Sequence, residues 1–133
     1  MKYYFAGSIK GGRDKVDIFQ IINEYLNNHG EVLDKHVCDP NVLTLEGDKT
    51  PEEIYLRDIK WIKECDMLVA EVSTPSLGVG YELSYAEQLN KDIIVIYDSK
   101  VKVSSMILGN DYFKKISYNN SEDLINKLSN IIE

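Results

Sequence analysis

Five short apolar runs, each followed by a turn and then by residues at helical spacing, limit the folds open to this chain more than any other feature. Residues 2–6, 31–37, 66–72, 92–97 and 113–118 are rich in β-branched and aromatic side chains, which suit a pleated, buried strand. Between the first two, Val16, Phe19, Ile22 and Leu26 fall on one helical face, and His29-Gly30 closes that segment. Thr50-Pro-Glu-Glu53 opens a second helix, with Thr50 as N-cap, Pro51 in the first turn and Glu53 completing a capping box. Residues 81–90 and 104–109 predict two more. From Ser121 onward Leu124, Ile125, Leu128, Ile131 and Ile132 form a terminal amphipathic stripe. Residues 38–49 have no periodicity and read as a surface loop. Strands alternating with helices predict one α/β domain over residues 1–133, with a parallel sheet and right-handed crossovers. A flavodoxin-like, Rossmann-like three-layer sandwich of strand order 2-1-3-4-5 places strands one and three side by side. Ligands bind such sheets at the switch point beyond the carboxyl ends of those strands.

Two glycine-rich turns emerge at that point. Gly7-Ser-Ile-Lys-Gly-Gly-Arg13 follows the first strand, but it has neither the P-loop spacing nor the GxGxxG spacing of a dinucleotide fold. It offers Ser8, Lys10 and Arg13 as donors. Ser73-Thr-Pro-Ser-Leu-Gly-Val-Gly-Tyr-Glu-Leu83 follows the third strand and leads into a helix. Gly78 and Gly80 allow the backbone to turn sharply and approach a ligand, and N–H groups at a helix start attract an anion. Glu82 is expected in the first turn, where the helix dipole should lower its pKa and keep it ionised, either as a nucleophile or only as the dipole-stabilised carboxylate common on surface helices. Asp58 breaks an apolar stripe of Ile54, Trp61, Ile62 and Cys65. Burial there would raise its pKa, as a general acid needs, unless Arg57 or Lys60 pairs with it or the helix tilts it into solvent. An ionised carboxylate and a protonated one form the pair used to cleave glycosidic bonds. His36, near the end of the second strand, is either a catalytic group or a satisfied structural histidine. A phospho-receiver domain has a similar strand order, but here the third strand ends in Glu71-Val-Ser rather than in an acceptor aspartate.

Composition narrows the partners. A net charge of −7 argues against broad contact with a nucleic-acid polymer, which needs a basic face. Cys38 and Cys65 are too few and too far apart for a metal site and read as thiols in a reducing cytoplasm. The apolar run at the N-terminus is too short for a signal peptide or membrane span.

Taken together, these residues resemble the 2'-deoxynucleoside 5'-phosphate N-hydrolases, relatives of the nucleoside 2-deoxyribosyltransferases. The resemblance is carried by Tyr4-Phe-Ala-Gly-Ser-Ile-Lys-Gly-Gly-Arg13, by His36-Val, by the Asp58-Ile-Lys-Trp segment, by residues 69–83 and by Val103-Ser-Ser-Met-Ile107. It implies that Glu82 attacks the anomeric carbon of the deoxyribose, that Asp58 assists departure of the base, and that Tyr4 holds the nucleophilic carboxylate. It further implies a substrate site of Ser8, Ile9, Lys10, Gly11, Arg13, His36, Ser76, Gly78 and Met106. Ser104, or its neighbour Ser105, would reach the 5'-phosphate from the other subunit of a homodimer. No metal or organic cofactor is implied. Lys10 stands where animal members carry an arginine, a point charge in place of a planar fork. A nucleoside deoxyribosyltransferase would carry an acidic residue at position 76, and a non-catalytic nucleotide sensor would have no need of Tyr4, Asp58 and Glu82 together.

Overall fold

The computed structural model describes residues 1–8 and 15–133. Strands β1 (Lys2–Ala6), β2 (Glu31–Val32), β3 (Met67–Glu71), β4 (Asp92–Asp98) and β5 (Lys114–Tyr118) alternate with helices. The helices are α1 (Val16–Asn27), α2 (Val42–Leu45), α3 (Pro51–Glu64), α4 (Leu77–Gln88), α5 (Ser105–Leu108) and α6 (Ser121–Ser129). All strand pairs are parallel and the order is β2-β1-β3-β4-β5, as expected.

Alternation along the strands builds two apolar layers. Tyr3 and Phe5 of β1 face α1 and α6, where Phe19, Ile22, Leu26, Leu124 and Leu128 cover them. The Phe5 and Phe19 rings meet edge to face at 5.1 Å. A Cβ on Gly7 would come within 2.8 Å of the Phe19 ring, so only glycine allows the chain to leave β1 here. Tyr4 and Ala6 face the other way, toward Ile62 of α3 and Leu83 and Ala86 of α4. Cys38 and Cys65 lie in opposite layers and no disulfide joins them. No helix among the described residues is long and apolar enough to cross a membrane.

Three elements differ from the sequence reading. The second strand ends at Val32 rather than 37, because Asp34 turns its carboxylate onto the Phe5 N–H at 2.8 Å and takes the place of the next ladder bond. His36 consequently lies in a 3-10 turn, Lys35–Cys38, and not on a strand. The 38–49 loop contains the short helix α2, whose C-cap is Glu46. Helix α4 begins at Leu77, four residues before the expected start, with the Ser76 hydroxyl accepting from the Val79 N–H at 3.3 Å. Gly78 and Gly80 are therefore helical residues, and Glu82 sits in the second turn, past the unpaired N–H groups. The capping box of Thr50 and Glu53 on α3 forms as the sequence indicates, with bonds of 3.0 and 3.1 Å.

Candidate active site

The carboxyl ends of β1 and β3 open into a cleft of about 760 Å³, bordered by Tyr4, Asp58, Ser76, Gly78 and Glu82. Three elements supply them: Tyr4 comes from β1, Asp58 from α3, and Ser76, Gly78 and Glu82 from the start of α4. Strand alternation aims Tyr4 toward α3 and α4, and there its hydroxyl donates to Glu82 Oε2. Asp58 enters from α3, and Ile54, Tyr55, Ile59 and Tyr81 complete the wall. The turn ahead of α4 is held from behind. The buried Glu71 carboxylate accepts from the Ser73 N–H (2.8 Å), the Ser73 hydroxyl (2.7 Å) and the Tyr118 hydroxyl (2.6 Å). The Asp98 N–H donates to Ser73 Oγ at 2.8 Å, so β4 and β5 together fix the approach to Ser76.

Electrostatics depart from expectation at Glu82. Its carboxyl is pushed up to about 8, chiefly because burial penalises the charge, with Asp58 adding to the rise and the Tyr4 hydrogen bond opposing it. The helix dipole does not lower it, because a second-turn position gains little from the helix terminus. Asp58 is also raised, again by burial first, while Arg57 pulls it down. The two carboxyls are thus not driven apart. They lie in one low-dielectric pocket where a single proton on the pair is favoured.

Beside them is a group that sequence reasoning passed over. Asp34 is fully buried, its carboxyl raised well above the usual range by burial, with Glu82 and Asp58 adding to the rise. Its Oδ2 has no hydrogen-bond partner among the described residues. Tyr4 is likewise pushed up, by burial first and then by Glu82, Asp34 and Asp58.

The remaining expected residues fall in several places. Ser76 and Gly78 border the cleft with the catalytic candidates. His36 is not among the residues that border the cleft; its Nε2 lies 3.0 Å from Glu46 Oε2, which does, and its ring 5.7 Å from that of Trp61. Burial pushes His36 down, and the Arg57 charge adds to the fall. Ser8 is buried just after β1. Ser104 and Met106 border a neighbouring cleft of about 620 Å³, which shares Ser76 and Leu77 with the first. Ile9, Lys10, Gly11 and Arg13 lie outside the described residues. Glu46 and Arg57 were not singled out for the site; an arginine next to the stripe-breaking aspartate was the one available signal. Among the described residues no group of His, Cys, Asp and Glu is arranged to hold a metal ion.

With this geometry in place, likeness to known proteins becomes informative. A family model described as nucleoside 2-deoxyribosyltransferase matches residues 3–127. A Syntrophotalea carbinolica protein, provisionally named 2'-deoxynucleoside 5'-phosphate N-hydrolase 1, is 40% identical over 126 residues, covering 93% of this chain and 89% of its own. The 5-hydroxymethyl-dUMP N-hydrolase of Danio rerio is 43% identical over 113 residues, covering 82% and 78%. Among solved structures, a Clostridium botulinum CMP N-glycosidase superposes with a TM-score of 0.71 at 22% identity, over 98% of this chain and 99% of its own. A 2-deoxyribosyltransferase of Bacillus psychrosaccharolyticus does so with a TM-score of 0.68 at 16% identity, over 95% and 91%. At these identities the structural matches speak to the fold.

Proposed function

This chain belongs to the nucleoside 2-deoxyribosyltransferase family, and we propose that it hydrolyses the N-glycosidic bond of 2'-deoxynucleoside 5'-monophosphates, giving free base and 2-deoxyribose 5-phosphate. One observation carries the reading: Tyr4, Asp58 and Glu82 converge in a cleft whose helix-start residue is Ser76, a hydroxyl where an acidic side chain would repel a phosphate. The relatives named as deoxynucleoside monophosphate N-hydrolases agree with that substrate class.

In the first step the Glu82 carboxylate attacks C1', and the base departs with a proton from Asp58. In the second, the Asp58 carboxylate takes a proton from water, which attacks C1' and frees Glu82. Tyr4 donates to the carboxylate throughout and offsets part of the cost of a buried charge. Ser76 and the helix-start N–H groups hold the 5'-phosphate, with Ser8, Ile9, Lys10, Gly11 and Arg13 completing the substrate contacts from the first loop. His36 lies toward the base.

The protein acts in the cytoplasm as a homodimer. Leu77 and Met106 are 96% and 84% exposed, and the cleft they border meets the active site at Ser76. A second copy docked there would bury them and deliver its Ser104 to the phosphate.

Incubation with each deoxynucleoside 5'-monophosphate and each unphosphorylated nucleoside, with and without a second base, tests the reaction by release of free base. Release from monophosphates alone is expected. Exchange requiring an added base would establish a transferase, and binding without release a sensor. Sedimentation equilibrium at twice the monomer mass is expected for the dimer.

A further inference from the structure

The acid candidate Asp58 does not act alone. Both Nε and Nη2 of Arg57 approach Asp58 Oδ1 at 3.0 Å, leaving Oδ2 without a hydrogen-bond partner among the described residues. The same Nη2 donates to Glu46 Oε2, and that oxygen also faces His36 Nε2 at 3.0 Å. The guanidinium carbon lies 4.9 Å from the centre of the Trp61 ring, a cation–π contact that adds to the two carboxylate contacts. Glu46 comes from the C-cap of α2, and it shares the cleft with Asp58. An arginine bound to Asp58 alone would favour its ionised form and oppose proton donation. A guanidinium divided between two carboxylates exerts less of that pull.

We propose that Arg57 and Glu46 are positioning residues for the leaving-group step: Arg57 pins Oδ1 so that Oδ2 is presented to the base, and Glu46 engages the guanidinium so that Asp58 retains its proton. The inference rests on the assignment of Asp58 as the acid. The other groups that bear on Asp58 are His36 from the 3-10 turn, Glu82 from α4, Tyr4 from β1 and Asp34 from the end of β2. None of these bonds to Arg57.

The test reads Asp58 directly, by carboxyl carbon-13 NMR titration with the Asp58→Asn protein assigning the resonance. Glu46→Gln is expected to lower the Asp58 midpoint by about one unit, because a negative neighbour is lost and Arg57 turns wholly to Asp58. Arg57→Gln is expected to raise it by about the same amount. Shifts in the same direction, or no shift in either variant, would overturn the proposal. Arg57→Lys keeps the charge and loses the fork: the titration should return toward the parent value while kcat stays about tenfold down, and full kcat in that variant would refute the pinning role. The titration needs no substrate. A parent protein that releases no base therefore refutes the hydrolase reading without deciding this one.

Discussion

The Tyr4 hydroxyl donates its hydrogen bond to Glu82 Oε2, tying strand β1 to helix α4 within the cleft. Hydrogen bonds to charged groups contribute about 1.5–3 kcal/mol, and this one favours the ionised form of a carboxyl that burial drives toward neutrality. Tyr4→Phe should lower kcat about 10- to 100-fold with little change in KM, measured by steady-state base release. The ionisation that limits activity on the alkaline side should also move above its parent position.

The proposed mechanism needs one proton on Glu82 and Asp58 together, and a coupled pair holds one between its two macroscopic pKa values. Burial pushes Glu82 up to about 8 and raises Asp58 above its ordinary range. A profile of kcat/KM against pH should therefore be bell-shaped, falling above about pH 8 as the last proton leaves. In Asp58→Asn the only remaining requirement is an ionised Glu82. Its residual activity should rise with pH through the range where the parent falls, and a matching decline in both proteins would refute the pairing.

A carboxyl raised from 4.5 to about 8 also bears on folding. The folded pKa exceeds the unfolded one, so the contribution is fully favourable below about pH 4.5 and is lost as pH rises toward 8. The shift corresponds to roughly 5 kcal/mol as an upper scale. Glu82→Gln keeps an acceptor for Tyr4 and removes the titration. Its Tm should exceed that of the parent by several degrees at pH 9 and by little at pH 5, read by calorimetry. Equal gains at both pH values would mean that Glu82 is not desolvated.

Much of this was readable from residues alone, and the exceptions share a cause. Lys2–Ala6 and the Thr50 cap are legible because their signals are local: an aromatic and apolar run stopped by Gly7-Ser8 in one case, a reciprocal cap in the other. The place of Asp58 at the cleft is legible because a carboxylate inside an apolar stripe is a local anomaly. The start of α4 was missed because two glycines cost a helix interior about 1 kcal/mol each, and packing of Val79 and Leu83 against the sheet outweighs that. Asp34 closed β2 early through a bond to Phe5, 29 residues away, which no window could show. The raised pKa of Glu82 and the engagement of Arg57 with Glu46 are likewise products of tertiary contact.

The glycines of α4 provide a last test. A Cβ at Gly78 would meet nothing nearer than Ser76 Oγ at 3.9 Å, and one at Gly80 would meet nothing within 4 Å. Neither glycine is required by the packing of the fold, and both weaken the helix. Gly78→Ala should therefore stabilise the protein by about 0.5–1 kcal/mol. Gly78 borders the cleft beside Ser76, however, and an added methyl would occupy the space a phosphate needs to reach the helix-start N–H groups. The expected result is a raised Tm with a KM for the deoxynucleoside monophosphate increased about tenfold, and Gly80→Ala should reproduce the Tm gain. Stabilisation with unchanged KM would show that the phosphate does not approach α4 at Gly78, and would move its binding to the first glycine-rich turn.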